Sequence, residues 1–402
     1  MLKKKGTLVV LAIAIWLIAV GSSTKVAFGN QVFRLGICMA LSGPAAGWGV
    51  PLANGTRLVV DEINSKGGLT IGGEKYLIKV YEQDTKFTAE GAVSAARRLI
   101  DQHHVHMIMG AIAGHSTLAA QEVTEPAKVI SLSTAADNRI IIKDEGKQFS
   151  FRVYISYSEV QPAMVKWLAK TYPEKTRLML LDPNLTSSWR GHEIMNKLAP
   201  LVGLEIVYEE YYEDGLKDFY PFLIKALSNK PEIFFNTSSP PPDWALHIKQ
   251  AKELGFKGVL IENHPTGLPT LESIAGKSNI GGLYGVDYPE TQAITEFKTK
   301  YEKIYGEYNP YSLLVVGGLA TILHAYEIAG TLNSEKVVEI LEEGKQYENV
   351  MGIEGVFSGK TIYGRNAQWL HRQVITQVRN GNIKEVADIR IKDIIDGYSL
   401  LQ

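Results

Sequence analysis

The sequence predicts an α/β protein built as two doubly wound parallel-sheet lobes. Three observations carry that prediction. A strand–loop–helix alternation runs from residue 32 to residue 133, and a second one starts afresh at residue 177. The strand segments of both series are short, apolar and rich in Ile, Val and Leu, as parallel strands covered on both faces should be. The 402 residues also exceed what one compact core usually holds. Two such series imply two sheets, each wound with helices on both faces.

The N-terminus comes first. Lys3, Lys4 and Lys5 precede an uncharged apolar run over residues 8–20, and Ala27 and Gly29 supply small residues at the −3 and −1 positions of a cleavage site. That is the pattern of a secretory signal peptide, with a core shorter than a membrane span. Residues 1–29 are expected to be removed, which leaves Asn30 at the mature terminus; the alternative is that the segment stays as an uncleaved membrane anchor. The chain's single cysteine, Cys38, lies in the first strand pattern and not at the cleavage site. No lipid attachment is therefore expected, and one cysteine excludes an internal disulfide framework.

In the first series the strands are expected at residues 32–39, 76–82, 106–112 and 129–133, with helices at 51–66, 88–102 and 116–127. Leu52, Thr56, Val59, Val60 and Ile63 share one helical face, Pro51 suits a first helical position, and Gly67-Gly68 stops the helix. Thr88 is placed to cap the next helix. In the second series the strands are expected at 177–181, 205–211, 232–236 and 258–262, with helices at 188–201, 219–227, 243–254 and 271–275. Helices then dominate, at 291–305, 312–328 and 334–342. The middle one is apolar almost all round, but Gly317, Gly318, His324 and Glu327 interrupt it, which makes it a buried helix rather than a membrane span.

A formal net charge of −1 argues against nucleic acid as a partner. Several motif-like stretches fail on inspection. The run Gly355 to Thr361, GVFSGKT, is one residue short of a phosphate loop, and no amphipathic helix follows it. Gly114 to Thr117, GHST, lacks the second glycine of a nucleophile elbow. His103 and His104 are adjacent and point apart on a helix, so they do not form a metal site. Gly43, Gly47 and Gly49 have the wrong spacing for a dinucleotide fingerprint.

Sites in doubly wound sheets lie beyond the carboxyl ends of the strands. That rule selects the loops 42–50, 113–117, 133–137, 182–190, 238–243 and 263–267. They carry glycines, hydroxyls, helix starts and two tryptophans, and no nucleophile paired with a base. Binding without chemistry is the expectation: no catalytic residue, no cofactor and no metal.

The order of motifs resembles one family over nearly the whole mature chain. The stretch RLGICMALSGPAAGWGVPLANGTRLVVDEINSKGGL is similar to the opening strand, loop and helix of the solute-binding proteins of branched-chain amino-acid ABC transporters. VYEQDTKFTAEGAVSAARRLI, MGAIAGHSTLAAQEVTE, VISLSTAADN, IKQAKELGFKG and SIAGKSNIGGLYG follow in the family's order. The resemblance implies a type I periplasmic-binding fold in which hinge closure traps a ligand between the lobes. It also implies an exported, periplasmic protein, a monomer, that serves ABC permease membrane subunits. A ligand-sensing receptor or regulator ectodomain of the same fold is the alternative.

Three crossings are expected near Tyr154, Tyr288 and Ser358, so that residues 30–154 and 289–357 form one lobe and 155–288 and 358–402 the other. The resemblance implies a set of ligand-binding residues. Trp48 stands where the family often has an aromatic residue, and Trp189 falls near a second aromatic position. Thr134 and Ala135 match the carboxylate-binding loop. The carboxylate-binding serine position falls on Gly114, with His115 and Ser116 after it. Tyr288 stands at the second crossing. The position that holds an ammonium in amino-acid binders falls on His264, which does not replace a carboxylate there. Two ligands are therefore expected as alternatives: an aliphatic amino acid, or an aromatic or aliphatic carboxylate without an ammonium.

Overall fold

The computed structural model describes residues 31–43, 45–213 and 215–402. The predicted signal segment 1–29 and its cleavage point lie outside the described residues.

The first lobe opens with β1 (Gln31–Met39). Phe33, Leu35, Ile37 and Met39 fill one core, and Cys38 packs with Leu99 and Ile108 in another on the opposite face. That two-sided burial is why the segment reads as a continuous apolar run. There follow α1 (Ala46–Ser65), β2 (Leu69–Ile71), β3 (Glu74–Asp84) and α2 (Ala89–Arg97), whose first turn is capped by Thr88 accepting the Gly91 amide. Then come β4 (Met107–Gly110), α3 (Gly114–Thr124), β5 (Ile130–Ser133) and β6 (Ser150–Arg152).

The second lobe holds α4 (Tyr157–Thr171), β7 (Arg177–Pro183), α5 (Thr186–Leu201), β8 (Glu205–Tyr212) and α6 (Tyr220–Ser228). It continues with β9 (Ile233–Asn236), α7 (Pro241–Glu253), β10 (Val259–Glu262), α8 (Leu268–Ala275) and β11 (Tyr284–Asp287). The chain returns to the first lobe with α9 (Gln292–Tyr305), a 3-10 turn (Pro310–Val315), α10 (Val316–Ala329) and α11 (Ser334–Glu342). That lobe closes with β12 (Gly355–Ser358), α12 (Lys360–Tyr363) and β13 (Gln368–His371), before β14 (Gln373–Arg379), β15 (Asn382–Ile389) and α13 (Ile391–Tyr398) finish the second.

Among the described residues one sheet has eight strands in the order β12-β13-β6-β5-β4-β1-β3-β2, and the other has seven in the order β15-β14-β11-β10-β9-β7-β8. The central pairs of both are parallel, and antiparallel strands sit at the edges. In each sheet the strand order reverses at the lobe's first strand, β1 or β7. The carboxyl ends at those reversals are where a crevice forms.

The crossings differ from expectation at one point. The chain passes between the sheets at residues 153–156, at 288–291 and at Arg372, not near Ser358. β12 turns back through α12 and pairs antiparallel with β13, so 359–367 is a hairpin connection. Gly359 and Gly364, at φ +104° and +74°, make that reversal possible.

Two helix starts also differ. α1 begins at Ala46, so Pro51 lies inside it and forgoes one backbone bond, and Trp48 sits in the first turn. α4 was not expected at all, although Ser156 and Glu159 form a capping box at its start. The long apolar segment Pro310–Ala329 packs into the first lobe's core, with Leu319, Ile322, Leu323 and Tyr326 fully buried. Gly317 and Gly318 let it lie against Trp369 and Val153.

Candidate functional site

A cavity of about 250 Å³ lies between the two lobes. The first lobe supplies Trp48, Phe87, Ala113, Thr134 and Ala135, along with Tyr311 and Leu314 from the 3-10 turn. The second lobe supplies Tyr157 and Ser187, and Tyr154 of the first crossing completes the wall. A narrower recess of about 40 Å³ shares Tyr154 and Leu314 and is lined by His264, Asp287, Tyr288 and His371.

Close packing aims Trp48. A Cβ on Gly49 would lie 2.0 Å from the Ala40 carbonyl oxygen, so only glycine lets the start of α1 approach the end of β1 this closely. Asp84 fixes the intervening loop by accepting the Leu41 amide at 3.0 Å and the Ser42 hydroxyl at 2.5 Å. Trp48 is 47% exposed and meets Phe87 edge-on, with ring centroids 6.2 Å apart. It forms the outer wall of the cavity.

The structure brings Trp48, Thr134 and Ala135 together on the larger cavity, and His264 and Tyr288 on the recess. Gly114, His115, Ser116 and Trp189 lie off both walls. His115 is exposed, packs edge-on to Phe87 and places its Nε2 3.0 Å from the Phe87 carbonyl oxygen. Trp189 is half-exposed on α5 and donates its Nε1–H to Asn184 Oδ1 at 3.0 Å.

Gly114 opens α3, and a Cβ there would lie 2.8 Å from Asp137 Oδ2. That carboxylate is paired with Arg139 at 2.6 Å. The hydroxyls of Ser116, Thr117 and Thr134 are buried and have no hydrogen-bond partner. Unsatisfied donors in a buried site cost free energy until something pairs with them.

His264 follows β10. With the proton on Nδ1, that nitrogen points at Glu262 Oε2 (3.4 Å) and the Pro265 carbonyl (3.5 Å), while Nε2 accepts from Asn236 Nδ2 (3.3 Å). Burial lowers its pKa, which favours this neutral ring. Burial also raises the Glu262 carboxyl well above the usual range and pushes Asp287 up to about 6. Tyr288 stacks on His371 at 4.0 Å, joining the second and third crossings.

Sequence reasoning missed the residue that orders the second lobe's loops. Asp182 is fully buried at the end of β7 and accepts from the amides of Thr237, Ser238 and Ser239 and from two of their hydroxyls. His192 lies between Asp182 and Glu209, 2.9 Å from each. Burial opposes the charge on His192, but the two carboxylates win and raise its pKa to about 9. The readable signal was an acid ending an apolar run, RLMLLD, with a hydroxyl cluster, NTSS, in a later loop.

Two doubly wound lobes with a cavity at their facing strand ends define the type I periplasmic-binding fold. The chain matches the periplasmic binding protein family over residues 32–382 and belongs to it. It is 26% identical over 353 residues to Leu/Ile/Val-binding protein homolog 8 of Brucella abortus, an alignment that covers 80% of this chain and 85% of that one. The leucine-binding protein LivK of Thermotoga maritima superposes with a TM-score of 0.70 at 22% identity, covering 90% of this chain and all of that one. The branched-chain amino acid transporter substrate-binding protein LivJ of Streptococcus pneumoniae, solved with isoleucine, gives 0.73 at 19% identity over the same shares.

Proposed function

We propose that this chain is the extracytoplasmic solute-binding component of an ABC importer. It traps a small amino acid or carboxylate between its lobes and presents the closed form to permease membrane subunits. The observation that carries this reading is the 250 Å³ cavity, walled by Trp48 and Thr134 from one lobe and by Tyr157 and Ser187 from the other. A ligand touching both walls stabilises the closed arrangement by its differential affinity. Structural neighbours described as ABC transporter proteins support the permease as partner. Within this reading the protein is exported, acts as a monomer and turns nothing over.

The test is a melting-temperature screen of the chain from Asn30 against amino acids and small carboxylates. A ligand at a hundred times its Kd stabilises the native state by about 2.7 kcal/mol. Slow consumption of a bound solute, measured by chromatography, would overturn the binding-only reading.

A further inference from the structure

The larger cavity has a composition that narrows its ligand. Trp48, Phe87, Tyr154, Tyr157 and Tyr311 bring five aromatic rings to its wall, and among the described residues no acidic side chain lines it. An apolar cavity of about 150 Å³ is already large enough to take up benzene. At about 250 Å³ this one holds a single ring with a short polar arm. We propose that the ligand is a carboxylate with a planar aromatic body and no ammonium group. This rests on the solute-trapping reading above.

The polar end is set by position. Thr134 lines the cavity, and its Oγ1 is buried just behind that surface and unpartnered. The cavity meets the start of α3 through Ala113, where the helix dipole favours an anion; Ser116 and Thr117, with unpartnered hydroxyls, lie buried in that first turn and off the cavity wall. Asp137 stands beside Gly114 at the same helix start, with its charge neutralised by Arg139.

An ammonium finds no comparable receptor on this wall. Both ring nitrogens of His264 are engaged, one by Asn236 and the other by Glu262 and Pro265. Glu262 is 1% exposed, lies against His264 and lines neither the cavity nor the narrow 40 Å³ recess. A zwitterion would bury its cation against rings and hydroxyls, without the counter-charge that buried ions need.

The test uses matched pairs in calorimetry: 3-phenylpropanoate against phenylalanine, and 4-methylpentanoate against leucine. Each pair differs only by the amine. The proposal expects 3-phenylpropanoate to bind at least tenfold tighter than phenylalanine and tighter than 4-methylpentanoate, with Thr134→Val weakening it tenfold or more. Phenylalanine or leucine binding as tightly as its partner overturns the ligand class and leaves solute trapping standing. If Glu262→Gln then abolishes that amino-acid binding, the recess is the ammonium site. Failure of both carboxylates overturns the ligand class too. If a panel of neutral solutes also fails to raise the melting temperature, the trapping reading falls with it.

Discussion

Trp48 and His192 show how differently single residues act in this molecule. Trp48 is half-exposed and touches Phe87, so the fold leans on it little. Its ring contributes chiefly when a ligand covers it, and Trp48→Ala is expected to cost about 1–3 kcal/mol of binding with a nearly unchanged melting temperature. Calorimetry and thermal unfolding of the same variant separate the two effects. His192 is the reverse case, buried between Asp182 and Glu209 and stacked on Tyr211. Its pKa is raised from 6.5 to about 9. The stability it contributes is therefore complete below pH 6.5 and is lost as pH rises through 9. Urea unfolding should show a fall of up to about 3 kcal/mol across that window, at 1.36 kcal/mol per pKa unit. His192→Gln should be less stable at pH 6.5 and should lack most of that slope.

At the scale of elements, the parallel strands were legible because burial on both faces leaves a continuous apolar run, as β1 and β7 show. What escaped depended on contacts the pattern does not display. The AGWG start of α1 has poor helix propensity, and tertiary packing of Gly49 on Ala40 overrides it. Pro162 inside α4 concealed a helix that its Ser156–Glu159 box announces. The β14–β15 hairpin carried a readable signal, Asn380-Gly381, and both residues have the positive φ of a tight primed turn. Of the residues that line the cavity, Trp48, Thr134 and Ala135 were named through the family resemblance. Phe87, Tyr157 and Tyr311 were not, because a single aromatic residue in a loop, a helix start or a short turn has no period. The packing of α1 gives a sharp test. Gly49→Ala drives a methyl into the Ala40 carbonyl, and overpacking of this kind costs about 1–3 kcal/mol. The variant should unfold at lower urea and, because Trp48 is one residue away, should bind ligand more weakly than its loss of stability explains. Wild-type affinity in a destabilised Gly49→Ala protein would show that α1 holds Trp48 in place without this contact.

For the whole molecule the question is where the two lobes are fixed to each other and where they are free. The fixed side is a buried network at the first crossing. Arg152 at the end of β6 lies 3.5 Å from Glu159 in α4, and Glu159 also accepts from Tyr363 of the first lobe (2.6 Å) and Tyr398 of the second (3.1 Å). Arg152 and Glu159 are both fully buried, and breaking such a pair typically costs 3–5 kcal/mol. Motion is therefore expected to be a rotation about this anchored edge, with the Tyr288–His371 stack riding on the other two crossings. The cavity has Trp48, about half-exposed, on its wall from the first lobe and Tyr157 and Ser187 from the second. Rotation that closes the lobes on a ligand covers the Trp48 indole. Saturating ligand should then reduce the radius of gyration in small-angle scattering and shift tryptophan emission to the blue, with Trp48→Phe removing most of the shift. Ligand that binds in calorimetry without changing the scattering curve would mean that the lobes meet the ligand already closed. Selection among lobe positions would then play no part in binding.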